Sequence, residues 1–213
     1  MAVLWAPRHL AQEKTGHALE QDRPDALKKR RDRFEGQPDL DPDRLVLIDE
    51  TCSATNMTRS HGRCRRAERL RMAFPHGERK TTAWTAGLRK IGIVAPTTLD
   101  GPINGDWFEA CIRHLLIPAL CPGDVVIVDN LSCHKRTSVR EMTAAAGARL
   151  MFLPPYSPDF NPIEIAFAKR KALLQKAAAG TISCLCSTIG QIVDCFTPQE
   201  RENYFAACGY NAD

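Results

Sequence analysis

An α/β fold, a mixed β-sheet flanked by helices, follows from three features of the 213-residue sequence. Apolar runs with strand character, several of them bounded by turn signals, recur between residues 45 and 99. At Asn104 the apolar spacing changes to a helical period. Beyond it, two continuous apolar runs, 122–130 and 148–155, alternate with helical segments. Antiparallel strands followed by β-α-β order require a mixed sheet, because parallel neighbours are joined through a crossover.

Taken along the chain, residues 1–42 are polar, carry Pro24, Pro38 and Pro42, and predict only a short helix over 25–33, so they read as an extension or linker. Residues 43–213 form the domain. LVLIDE (45–50) is an apolar strand ending in two carboxylates. Strand character recurs around Leu70 to Phe74, in TTAWTAGL (81–88) and in GIVAPTTL (92–99), with turns at 75–77 and 100–102. Trp107, Phe108, Cys111, Ile112, Leu115 and Leu116 then keep helical spacing behind an Asn104 cap, with Pro118 as the stop. The run 122–130 predicts a strand buried on both faces. A helix over 138–146 ends at Gly147, and 148–155 repeats the strand pattern. Asn161-Pro162 opens a helix reaching about Ala178. Two more follow near 184–195 and 198–208, the last entered through a Thr197 cap and Pro198.

Composition excludes several classes. At 44% hydrophobic and 25% charged residues, the chain is neither disordered nor collagen-like. No apolar run approaches the roughly 20 residues of a membrane helix, and the opening lacks a secretory leader, so a cytoplasmic protein with no membrane partner is expected. Nine cysteines without a C-x-x-C pair suggest buried thiols acting as small hydrophobes rather than a zinc site. Net charge is only +4, yet Arg59 to Lys80 holds eight basic and two acidic residues. A second basic cluster lies at Lys28 to Arg33. Such runs are solvated faces or phosphate-binding surfaces.

Three carboxylates stand at element ends. Asp49 closes the first apolar strand, Asp129 closes the strand 122–130, and Glu164 begins the helix after the last strand. Open α/β sheets gather ligands at the carboxyl ends of parallel strands, where these acids can converge. Like charges that close need protons or divalent cations, and an oxygen-only set favours a hard ion such as magnesium or manganese, completed by water and phosphate. Each acid also has a plain reading: strand-end residues facing water for Asp49 and Asp129, and a capping box with Asn161 for Glu164.

LVLIDET (45–51), PHG (75–77), DGPING (100–105), PGDVVIVDNLSCHK (122–135), LPPYSPDFNPIEIAFAKRK (153–171) and FTPQERENYFAACGY (196–210) resemble the catalytic domain of bacterial insertion-sequence transposases of the mariner-related DDE superfamily. The 34 residues between Asp129 and Glu164 match that family's spacing. The resemblance, from about Glu20 onward, implies a ribonuclease-H-like fold with the first strand beside the strand 122–130. It implies that Asp49, Asp129 and Glu164 are catalytic and bind two Mg²⁺ ions, with Mn²⁺ as a substitute. Asn130 and His134 match a supporting D-N-x-x-x-H pattern. Glu50 should point to the other sheet face. The implied partners are transposon-end and target DNA, met by Arg59, Arg63, Arg65, Arg66, Arg69, Arg71, Lys80 and Lys135, and a second copy of the chain. The implied activity is cut-and-paste cleavage and strand transfer. Relatives begin with a helix-turn-helix that the first 42 residues do not supply. Residues 62–68 replace a Pro-Arg-Gly turn, Cys52 and Cys186 stand at aromatic positions, and Arg170 interrupts an apolar helix face. An alternative reading is therefore a truncated, non-catalytic DNA-binding remnant or a partner of a full-length transposase.

Overall fold

The computed structural model describes residues 19–58, 63–65, 67–71, 80–101 and 103–211. Strands β1 (Leu45–Ala54), β2 (Thr81–Arg89) and β3 (Gly92–Asp100) form an antiparallel meander. Strands β4 (Val125–Val128) and β5 (Arg149–Phe152) extend it in parallel, giving the order β3-β2-β1-β4-β5. The first strand thus lies beside the strand that carries Asp129 at its end. Leu70 and Arg71, expected in strand conformation, are not in a strand, and the rest of that stretch (72–74) lies outside the described residues, as does the turn at 75–77.

The strand period of two divides the interior into two layers. Leu45, Leu47, Val125 and Ile127 face Ile163, Ala166 and Phe167 of α4 (Pro162–Ala177), with α5 (Ile182–Val193) and α6 (Pro198–Ala207) completing that core. Val46, Ile48, Val126 and Val128 face Phe108 of α2 (Gly105–Cys111), Ile112, Leu116 and Val139 of α3 (Thr137–Ala145). Because β1 and β4 are covered on both faces, their apolar residues run unbroken, as the sequence shows.

The helix ends follow local chemistry. Asn104 accepts the Trp107 amide, and Thr197 forms a capping box with Glu200. Gly147 adopts φ +75°, the left-handed turn that releases α3 into β5. The helix expected to run on from Asn104 is only partly α. It widens to a π turn over Ile112–Leu116 and tightens to a 3₁₀ turn over Ile117–Ala119, where Pro118 offers no amide to the ladder.

Residues 19–40 pack onto the domain. A 3₁₀ turn (Leu19–Asp22) leads into α1 (Pro24–Glu35), longer than the helix predicted there. Arg33 donates to the Tyr210 hydroxyl at 2.6 Å, Gln37 donates to the Cys208 carbonyl at 2.5 Å, and Leu40 joins the α4 core. The cysteine expectation needs correcting: all nine are free thiols, but only Cys111 and Cys208 are buried. Cys195, read as part of an apolar helix, lies beyond the end of α5 and is exposed.

At the amino end of β4, buried Asp124 pairs with buried Arg89 and accepts the Cys121 amide at 2.7 Å. Burial alone would raise the Asp124 carboxyl, but the Arg89 and Cys121 hydrogen bonds hold it below the usual range. A depressed folded pKa contributes stability above the unfolded value of about 3.9, lost as pH falls through the folded pKa. Asp124→Asn should therefore cost about 2 kcal/mol at neutral pH, with the gap to wild type closing on acidification. Urea melts at pH 7 and pH 3 check this.

Candidate active site

Ile48 of β1 and Val128 of β4 are the last register partners, so Asp49 and Asp129 follow where the parallel pairing of these strands, about 4.8 Å apart, ends. Asp49, expected to close its strand, instead lies mid-strand, because β1 runs on to Ala54 against β2. Glu164 comes from the first turn of α4. All three line one cavity of about 500 Å³, together with Asn130, Tyr156 and Asn161. Sheet register and the start of α4 thus bring together acids 115 residues apart in sequence.

Asp49 is buried and accepts the Glu50 amide at 2.7 Å and the Asn161 carboxamide at 2.7 Å. Burial and the nearby Glu164 charge push its carboxyl up to about 8, with the Glu50 amide opposing them. Glu164 stands at the solvent-exposed rim, and its carboxyl is raised by partial burial and by the Asp129 charge. These are the signs of a like-charge cluster, whose repulsion a divalent cation would relieve. Among the described residues no three Asp, Glu, His or Cys side chains stand close enough to cage an ion unaided. The donor chemistry still fits a hard divalent cation, since oxygen atoms from three elements face one space and leave room for water and phosphate.

The capping box expected between Asn161 and Glu164 does not form. The Asn161 side chain makes no cap bond, and its amide group is turned onto the Asp49 carboxylate instead.

His134, on the short turn Ser132–His134 after β4, is buried with its ring 4.0 Å from that of Phe108. Its Nδ1 lies 2.5 Å from Asp129 and its Nε2 lies 2.9 Å from Glu50. Burial works against a charged ring, but the hydrogen bonds to Asp129 and Glu50 outweigh it and raise the imidazole to about 10. Each ring nitrogen faces a carboxylate oxygen, an acceptor, so the geometry suits a ring that carries hydrogen on both. Glu50 does point away from Asp49, as alternation requires, yet it belongs to the site through His134. Strand parity gave its direction; nothing in its own sequence neighbourhood marked a partner 84 residues on.

The other candidate residues lie outside this cluster. Arg63, Arg65, Arg69, Arg71, Lys80 and Lys135 are exposed, while Arg59 and Arg66 fall outside the described residues. Arg170 is fully buried on the apolar side of α4, donating to Ser53 Oγ at 2.8 Å with its guanidinium 4.5 Å above the Trp84 ring. It is therefore seated in the core rather than merely interrupting it, and burial pushes its pKa down to about 10.

No curated protein matches the chain by sequence. Solved structures do. The Mos1 strand transfer complex superposes with TM-score 0.68 at 15% identity, covering 95% of this chain and 67% of that one. The Mos1 mariner paired-end complex with Mn gives 0.71 at 15%, covering 94% and 64%. The isolated catalytic domain of Mos1 mariner transposase gives 0.57 at 12%, covering 98% and 100%. The chain therefore spans about two thirds of the longer Mos1 chains and the whole of the catalytic domain. At such identities the likeness establishes the ribonuclease-H-like fold. Family assignment comes from the sequence itself: the model for DDE superfamily endonuclease matches residues 44–186, which contain all three carboxylates. The chain belongs to the DDE superfamily of endonucleases.

Proposed function

We propose that the chain is the catalytic part of a transposase that cuts and rejoins DNA at the ends of an insertion sequence by a cut-and-paste route. The observation that carries this reading is the meeting of Asp49, Asp129 and Glu164 in one cavity where the parallel pairing of β1 and β4 ends. Solved structures of similar fold include Mos1 transposase paired-end complexes, one with Mn and one with the left transposon end, and the Mos1 catalytic domain with Raltegravir and Mg. In our reading the three acids hold two Mg²⁺ ions, which Mn²⁺ can replace. When bound, such ions polarise the scissile phosphate and lower the pKa of an attacking water.

The chain's own residues prepare that chemistry. Asn161 fixes the Asp49 carboxylate, and the His134 imidazolium fixes Asp129, so neither acid can swing away from the cavity. Glu164, at the rim, stands where phosphate enters, and Asn130 lines the same wall. Two copies of the chain act in the cytoplasm, one for each transposon end. DNA runs over the basic segment Arg59, Arg63, Arg65, Arg66, Arg69, Arg71 and Lys80, and over Lys135.

The test is nicking of a supercoiled plasmid carrying the element's ends, with Mg²⁺, by wild type and by Asp129→Asn. Equal nicking by both would reject the site. A second measurement addresses the DNA path. If the arginines neutralise phosphates, log affinity falls with log salt, and removing Arg63, Arg65, Arg69 and Arg71 flattens the slope by about 1 per residue. Filter binding from 50 to 200 mM salt reads this, and an unchanged slope would leave that segment a plain solvated face.

A further inference from the structure

Resting on that reading of the cavity, we infer that Arg30 is a positioning residue, which braces the loop 155–160 from outside and thereby sets two of the cavity's walls. Arg30 belongs to the polar segment that precedes the family match, yet its guanidinium is turned onto the loop. Nη1 lies 2.9 Å and Nη2 lies 2.7 Å from the two Asp159 carboxylate oxygens. Nη1 also donates to Ser157 Oγ at 2.8 Å and approaches the Tyr156 carbonyl at 3.5 Å. The guanidinium stands 5.2 Å from the centre of the Phe160 ring. Gln21, on the 3₁₀ turn that precedes α1, donates to the same Tyr156 carbonyl at 2.5 Å.

The loop needs such support. Tyr156 holds φ +55°, a left-handed conformation that a residue with a side chain rarely adopts and that persists only where surroundings over-determine it. Pro155, Tyr156, Ser157 and Pro158 line the cavity, with Tyr156 half exposed at its mouth. At its far end the loop passes directly into Asn161, which grips Asp49, and then into the first turn of α4, which carries Glu164. From the other side the Tyr210 hydroxyl donates to the Phe160 carbonyl at 2.8 Å and receives Arg33. A shift of the loop therefore moves Tyr156, Asn161 and Glu164 together. The fork of Arg30 reaches a carboxylate, a hydroxyl and a carbonyl at once, which the single ammonium of a lysine does not reproduce.

The experiment compares wild type, Arg30→Ala and Arg30→Lys in two measurements. In metal-free protein, hydrogen exchange is followed at the Phe160 and Asn161 amides, which bond to the Ser157 and Pro158 carbonyls at 3.2 and 3.0 Å. With Mg²⁺ and saturating plasmid, single-turnover nicking is timed. Arg30→Ala should exchange at those two amides about tenfold faster, with β1 and the middle of α4 unchanged, and nick about tenfold more slowly; Arg30→Lys should fall between. Exchange at the two amides within twofold of wild type overturns the inference, as does faster exchange with an unchanged nicking rate. Acceleration spread evenly over β1 and α4 also counts against it, because that reports general loosening. The exchange arm needs no activity, so a failure of the transposase reading, seen as Asp129→Asn nicking at the wild-type rate, is told apart from a failure of the brace.

Discussion

Asp129→Asn lowers Mg²⁺-dependent nicking on the order of 10³-fold while leaving the fold intact. A bound cation stabilises transition-state charge by several kcal/mol, and each ~1.4 kcal/mol is tenfold in rate. Removing one of three anionic holders forfeits most of that. The same expectation extends to Glu164→Gln, where a second effect separates chemistry from folding. Glu164 sits at the rim and raises the Asp49 carboxyl through like charge, so neutralising it relieves repulsion in the metal-free protein. The Glu164→Gln thermal midpoint without metal should equal or exceed that of wild type, while the upward shift on adding Mn²⁺ shrinks. Thermal melts with and without Mn²⁺, beside the nicking assay, read both. A variant that lost activity through unfolding would show the opposite midpoint change.

His134→Ala carries the largest expected loss of stability. The imidazolium lies between Asp129 and Glu50, is 1% exposed, and packs on Phe108. Removing it leaves two facing carboxylates with no cation between them and a cavity beside Phe108. Breaking a buried charged pair by deleting one partner costs roughly 3 to 5 kcal/mol. Glu50→Gln in the same background should recover part of this, because it removes one of the stranded charges; a double-mutant cycle by urea denaturation measures that coupling. Nicking should also fall in the Glu50→Gln single variant, through the freedom that Asp129 gains. A His134→Ala protein as stable as wild type would mean that the bridge is not held in solution.

The sheet was readable because its chemistry is local. β1 and β4 are unbroken apolar runs, and the switch from period two to helical spacing at Asn104 marks where the meander stops. The three acids were readable for a similar reason: Asp129 adjoins the end of β4, Glu164 stands in the opening turn of α4, and Asp49 ends the apolar run of β1, although the strand itself continues to Ala54. What the pattern could not carry were contacts between distant segments. Asn161 looked like a helix cap, since a cap is what that residue type does locally, and only the tertiary fold brings Asp49 within its reach. Arg170 looked like a fault in an apolar face because its counterparts, Trp84 and Ser53, come from other strands. The roles of Glu50 and Arg30 were hidden likewise: strand parity gave the direction of the first and a basic cluster contained the second, but their partners lie 84 and 129 residues away.

The belt that joins Arg33, Tyr210 and Phe160 also bears on the order in which the protein is made. Arg33 leaves the ribosome 177 residues before the tyrosine that receives it, and Phe160, whose carbonyl that tyrosine holds, emerges 50 residues before it. Strands and acids are therefore all synthesised while the loop beside them still lacks one of its supports. A nascent chain halted between Glu164 and Tyr210 holds every carboxylate of the cavity but lacks one support of the wall beside them. In such a chain the full shape of the cavity arrives late, with Tyr210 beyond the end of α6, rather than when the last acid appears.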